Sequence, residues 1–118
     1  MVAIFVSPRD PAITSERKII RLLKHAHPEM AATAPSRIQR VRLADGVTLI
    51  PEHAQIAEGY TLKLHVRSSD FTIEAEPVQP GKTGTFSFFR DKAGVIRWNP
   101  ELGQPAGEQS RRWGPKDP

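Results

Sequence analysis

The stretch Gly59-Tyr60-Thr61-Leu62-Lys63-Leu64-His65-Val66-Arg67-Ser68-Ser69-Asp70-Phe71-Thr72-Ile73-Glu74-Ala75-Glu76 decides the fold. Tyr60, Leu62, Leu64 and Val66 alternate with Thr61, Lys63, His65 and Arg67, a two-residue period that puts the apolar set on one face of a half-buried strand. Phe71, Ile73 and Ala75 alternate in the same way with Thr72, Glu74 and Glu76. With Ser68-Ser69 as a two-residue hairpin loop, the spacing predicts Arg67 opposite Asp70, Val66 opposite Phe71, Leu64 opposite Ile73 and Leu62 opposite Ala75. The same register sets Lys63 against Glu74 on the wet face, each such pair contributing roughly 0.2 to 1 kcal/mol. A slip of one residue would turn the whole apolar set outward.

A second hairpin follows. Asp91-Lys92-Ala93-Gly94 fits a type I turn closed by a left-handed glycine, with Asp91 accepting from its own turn backbone. Counting through that bulge pairs Arg90 with Ile96 and Phe88 with Trp98, which gathers Phe86, Phe88, Ile96 and Trp98 on one face. Between the hairpins, Glu76 to Gly84 holds Pro77, Pro80, Gly81 and Gly84, a composition that favours an ordered crossover loop over continued pairing.

The runs Gly59-Tyr60-Thr61-Leu62, Ile73-Glu74-Ala75-Glu76-Pro77-Val78, Pro80-Gly81-Lys82-Thr83-Gly84, Phe88-Phe89-Arg90-Asp91 and Gly94-Val95-Ile96-Arg97 resemble the C-terminal head of bacterial type IV pilin-like and pseudopilin-like proteins. The resemblance covers about forty residues. It implies a pilin-like head, a helix packed on an antiparallel meander, that serves assembly and partner contact at the cell envelope without chemistry of its own. Members of that group begin with a basic leader and a long apolar anchor helix. Here Met1 to Val6 is too short an apolar run to span a bilayer, which takes ~20 residues, and Arg9, Asp10 and the prolines end it. The expectation is a soluble chain with no leader and no anchor.

At 118 residues with 38% hydrophobic and 25% charged side chains, the chain fits one soluble domain with a real core. Zero cysteines exclude disulfides, thiolate catalysis and Cys-based metal sites, and leave the compartment open. The net charge of +4 is ordinary for a soluble domain.

Upstream, Ile13 to Ala26 is the best helix, with Thr14 or Ser15 as cap, Glu16 in the first turn, Lys24 and His25 in the last, and Pro28 as the stop. Ile13, Ile19, Ile20, Leu23 and Ala26 share one face; Arg17, Lys18, Arg21 and Lys24 share the other. The alanine-rich run Met30 to Ser36 reads as a connector. Arg37 to Leu43 alternates imperfectly and suits either a strand or a short helix ending at Gly46. Val47 to Ile50 favours a strand, Pro51 to Ala57 a short helix closed by Gly59, and Val2 to Val6 a short edge strand.

Between positions 11 and 43, Arg17, Lys18, Arg21, Lys24, Arg37, Arg40 and Arg42 stand against Glu16 and Glu29, giving 7 − 2 = +5. This is the best argument for nucleic acid, yet the region holds no Phe, Tyr or Trp on which bases could stack. A solvated face is the plainer reading. Two ligands on one helix face stand three or four apart, whereas His25 and His27, with Glu29 following, stand two apart and His53 precedes Glu58 by five, so no metal is expected. His65 is read as a surface residue beside Glu74 or Thr72. Glu74 and Glu76 fall on a solvated strand face, against a raised carboxylate for acid-base work. No nucleophile elbow and no phosphate loop occur.

From Asn99 onward Pro100, Pro105, Pro115 and Pro118 mix with Gly103, Gly107 and Gly114, the composition of a flexible tail. Within it Arg111-Arg112-Trp113 reads first as part of that tail, with docking on the body or on a partner as alternatives. The expected fold class is α+β: a helix over about 14–27 on a four-stranded antiparallel sheet (about 59–67, 70–76, 84–90 and 95–98), forming one domain over 1–98 with a tail over 99–118. The expected function is a non-catalytic, pilin-like structural or protein-interaction module with no cofactor, no small-molecule ligand and protein partners or self-association. The alternative is a small basic nucleic-acid-binding protein. The candidate surface is Arg17, Lys18, Arg21, Lys24, Arg37, Arg40, Arg42, Arg111, Arg112 and Trp113.

Overall fold

The computed structural model describes residues 11–67, 69–101 and 103–113, with the backbone alone at 11–15 and 34–36. The strand expected at Val2–Val6 and the residue Ser68 lie outside the described residues.

The paired ribbons of the back half form as their patterning requires. Strands β5 (Tyr60–Arg67) and β6 (Asp70–Pro77) pair antiparallel with Arg67 opposite Asp70, Val66 opposite Phe71, Leu64 opposite Ile73 and Leu62 opposite Ala75. Strands β7 (Ser87–Arg90) and β8 (Ile96–Asn99) place Phe88 opposite Trp98 and Arg90 opposite Ile96. The Asp91 turn is built as expected: its Oδ1 accepts from Ala93 and Val95 N–H at 2.9 Å each, and Gly94 takes φ +85°.

The expected fold class is corrected by the rest of the chain. Instead of a helix on a four-stranded meander with a loose tail, there are two antiparallel sheets, of three and six strands, and one short helix. The three-stranded sheet runs β1 (His27–Ala31), β2 (Ala34–Arg42) and β3 (Thr48–Leu49). The connector expected at Met30 to Ser36 is therefore the apex of a hairpin, and Pro28 sits in an edge strand, where its missing N–H costs no ladder bond. The six-stranded sheet has the order β4-β5-β6-β7-β8-β9, adding β4 (Ala54–Ala57) and β9 (Arg111–Arg112) to the two hairpins.

The strand at β4 replaces the helix expected over Pro51 to Ala57. Gly59 does adopt the left-handed conformation that a helix-ending glycine would take, φ +81°, but Glu58 takes it as well, φ +53°. Two consecutive left-handed residues between Ala57 and Tyr60 make a tight hairpin turn, which sends β4 back along β5. Glutamate is a poor occupant of that position, where Asn is favoured. Glu58→Asn is expected to stabilise the chain by about 0.5 kcal/mol, after the loss of an exposed ion pair with Lys18 at 3.4 Å is subtracted, and urea unfolding would measure it.

Helix α1 spans Pro11–Lys24, starting three residues earlier than about 14 and ending before His25. Its start suits Pro11, whose fixed φ matches a first helical turn. Ile19, Ile20, Leu22 and Leu23 are buried and meet Val41, Leu49, Tyr60, Leu62, Leu64, Ile73 and Phe88 in a single core that joins the helix to both sheets.

The opposite face of the large sheet is partly roofed. Arg97 and Asn99 project from it and bond to the carbonyls of Ser110 (3.0 Å) and Pro105 (2.9 Å), holding residues 105–110 over that side, where Ser87, Phe89 and Ala106 are buried. The chain then turns back as β9, and Trp113 donates its N–H to Ile96 at 2.7 Å. Its ring stands edge-on to Phe88 (5.5 Å between centroids) and Trp98 (5.4 Å). The segment expected to be a solvated tail is thus docked on its own sheet, because one indole finds two aromatic partners there.

A second long-range tie locks α1. Glu16, only 8% exposed, accepts from the N–H groups of Thr85 (2.7 Å) and Phe86 (2.9 Å). The carbonyl of Phe86 in turn accepts from the Tyr60 hydroxyl at 2.7 Å. Burial, reinforced by Glu16, pushes the Tyr60 phenol far above its ordinary value, so it stays a donor at any working pH.

Candidate interaction surfaces

The basic residues singled out in the first half are exposed or half-buried, but most are already neutralised. Lys18 pairs with Glu58, Arg21 with Asp45 at 3.6 Å, and Glu29 receives both Arg42 at 2.9 Å and Arg40 at 3.6 Å. Among the described residues Arg17, Lys24 and Arg37 are the members of that set without an ion pair. The +5 of the linear stretch is therefore diluted by Asp45 and Glu58, which the fold brings in from outside it. Arg111 and Arg112 are exposed on β9, and Arg111 lies 5.8 Å from the Trp98 ring centroid.

The histidines do not converge. His25 and His27 are exposed at the exit from α1, His53 precedes β4, and Glu29 and Glu58 are engaged by cations. Among the described residues no three His, Asp or Glu side chains gather as metal ligands. His65 instead lies between two carboxylates, with Nδ1 at 3.2 Å from Glu52 and Nε2 at 3.0 Å from Glu74. Glu74, set opposite Lys63 by register, turns to the imidazole two residue pairs along, on the same face.

Asp91 is the best-anchored carboxylate. Burial works to raise its pKa, but the N–H donors of Val95 and Ala93 and the Arg97 guanidinium at 3.0 Å outweigh it and hold the group below the ordinary carboxylate value. A depressed folded pKa adds stability above the unfolded value of ~3.9, and that stability is lost as pH falls through the folded value. Asp91→Ala is accordingly expected to cost about 2 kcal/mol at pH 7, with the gap to wild type closing below about pH 4 in acid titrations followed by circular dichroism. Next to it, desolvation lowers the Arg90 guanidinium from its usual value against the opposing pull of Asp91, and Arg90 stacks 4.8 Å from the Phe71 centroid.

An open cleft of about 400 Å³ lies beyond the β5–β6 tip, between Arg67, Asp70, Lys92 and Glu108 over Val66 and Phe71. Arg67 and Lys92 are matched in number by Asp70 and Glu108, so these side chains give the cleft no net charge with which to attract a charged ligand.

The sheet edges differ sharply. At one side β9 contributes only two residues, both arginines, the kind of short charged edge that resists further pairing. At the other, β4 carries Ala54-Gln55-Ile56-Ala57, with no charge and no proline. Ile56 is 72% exposed, the most exposed of the large apolar side chains described. Because the two-residue turn makes Ala57 and Tyr60 a hydrogen-bonded pair, and Gln55 with Leu62 the next, the N–H and C=O of Ala54 and Ile56 aim away from β5. Among the described residues no strand lies on that side. Left-handed Glu52 (φ +62°) and Glu58 flank it, two strained non-glycine positions bracketing one short strand. This edge was not legible in the sequence, where Pro51 to Ala57 read as helix.

Comparison with protein-family models, curated proteins and solved structures finds no match. Among the described residues no helix is long and apolar enough to cross a membrane.

Proposed function

We propose that the chain is a non-catalytic structural and interaction module whose large sheet accepts another polypeptide strand along β4. The observation that carries this is the uncharged β4 edge, unpaired among the described residues, with Ile56 exposed beside outward backbone groups. An unguarded edge is a template for main-chain pairing, in which backbone hydrogen bonds supply affinity and alternate side chains supply choice. The resemblance of Gly59 to Arg97 to subunits that assemble through their heads points to the same class of function. Nucleic-acid binding is the weaker alternative: ion pairs engage four of the seven cations in the first half, and phosphates would have to displace those partners.

A display library of ten-residue peptides, selected on the immobilised chain, tests the reading. Expected are binders whose amide-exchange footprint covers Ala54 to Ala57 and which are lost with Ile56→Lys. Binders that map elsewhere, or salt-sensitive retention of single-stranded DNA abolished by Arg17→Ala with Arg37→Ala, would overturn it.

A further inference from the structure

We infer that the partner of the β4 edge is a second copy of this chain, joined antiparallel across a two-fold axis at Gln55. The inference rests on the strand-accepting role proposed above and specifies the strand. Three features support it, and the first is symmetry. The outward-facing residues are Ala54 and Ile56, one on each side of Gln55. Laying β4 against its own copy about Gln55 puts Ala54 opposite Ile56 of the second copy, and Ile56 opposite Ala54, both as hydrogen-bonded pairs. The backbone groups left open in each copy then satisfy one another.

The second feature is Gln55 itself. Its Oε1 is buried and has no hydrogen-bond partner among the described residues. On the axis, Gln55 faces Gln55 of the second copy as a non-hydrogen-bonded pair, the arrangement that brings opposed side chains closest, at about 4.5 Å between Cα atoms. The amide nitrogen of one copy can then donate to the oxygen of the other, supplying the missing partner after a small rotation of the side chain.

The third is shape. On the opposite face of the strand, exposed Ile56 lies beside the small Ala54 of the second copy, so a large side chain meets a small one on both sides of the axis. Farther out, Glu52 falls opposite Glu58 of the second copy, and each is already held, by His65 at 3.2 Å and by Lys18 at 3.4 Å. Four residues from each copy form a contact well under the ~1,200 Å² of a stable interface, so the dimer is a weak one, with a dissociation constant on the order of 100 µM.

Sedimentation velocity on the full chain between about 10 µM and about 1 mM tests this, spanning the expected constant on both sides. Wild type is expected to move from monomer to dimer, and amide exchange at Ala54 and Ile56 to slow as it does. Ile56→Lys, and separately Ala54→Pro, which removes an outward N–H that β5 does not use, are each expected to weaken association at least tenfold. Both variants should keep the wild-type circular dichroism spectrum, and Met30→Lys, at an exposed apolar residue in β1 of the other sheet, should leave association unchanged. A chain monomeric at the top concentration overturns the inference; so does a dimer indifferent to both edge variants. Protection of Ala54 and Ile56 in the dilute monomer overturns it too, assigning the edge to a segment of the same chain such as Val2–Val6. A monomer that still binds selected peptides at Ala54 to Ala57 removes self-pairing alone, whereas loss of both removes the interaction reading as well.

Discussion

Gly84→Ala is expected to destabilise the protein by about 3 kcal/mol or more, beyond the usual cost of overpacking, because a methyl group there has no room to exist. A Cβ on Gly84 would overlap the Tyr60 hydroxyl and two ring carbons. Tyr60 cannot step aside: it is fully buried, its hydroxyl is bonded to Phe86, and its ring packs 6.0 Å from Phe88. The backbone of Gly84 is not left-handed, so the penalty is steric and not conformational. Tyr60→Phe removes the hydroxyl but leaves the ring carbons in place and should not rescue the variant. Tyr60→Leu, which vacates the space, should. In that background Gly84→Ala is expected to cost less than about 1 kcal/mol, a coupling that a double-mutant cycle in urea would read directly. A wild-type midpoint for Gly84→Ala alone would show that the glycine and the ring do not meet.

Trp113→Ala is expected to cost about 3 kcal/mol, near the low end for removing a packed indole since the ring is only half-buried. The loss has two parts. Phe88 and Trp98 each surrender an edge-on aromatic neighbour, and the closing strand β9 loses its anchor, since the Trp113 N–H bond to Ile96 is made only while the chain lies along β8. Denaturant unfolding followed by Trp98 fluorescence should show a lower midpoint, and amide exchange should show faster opening of Arg97 and Arg112. Trp113→Phe, which keeps an aromatic edge, should recover at least half of the loss. A variant within about 0.5 kcal/mol of wild type would return residues 99–113 to the solvated tail suggested by their composition.

These two sites mark where reading the chain ran out. Gly84 was legible as a turn residue, and its neighbour Gly81 does take φ +88°. The need at Gly84 is different, for it makes space for a side chain 24 positions earlier, a contact that exists only once β5 and the crossover loop are packed together. Glu16 read as an ordinary first-turn acid, yet its carboxylate ties α1 to two backbone donors 69 and 70 residues away. Trp113 sat among prolines and glycines that argue for disorder, and only the sheet beneath it reverses that balance.

The proposed site followed the same rule. The basic side chains were visible from charge alone, but their neutralisation by Glu58 and Asp45 was not, since those acids come from later turns. The β4 edge was hidden because Gly59 carries one local signal with two meanings: a left-handed glycine ends a helix as readily as it closes a hairpin.

What the amino-acid sequence determined by itself was local: the registers of β5 with β6 and of β7 with β8, the Asp91 turn, and the apolar face of α1. Each depends on a period of two or of 3.6 residues and on turn chemistry within a few positions, so the information lies where the structure uses it. Tertiary structure decided the three-stranded sheet, the edge strand Ala54–Ala57 in place of a helix over Pro51 to Ala57, and the docking of Trp113. Those segments have weak intrinsic preferences, and their state is set by the apolar area and unpaired backbone that distant strands offer them, a free energy that exists only after the chain has closed on itself.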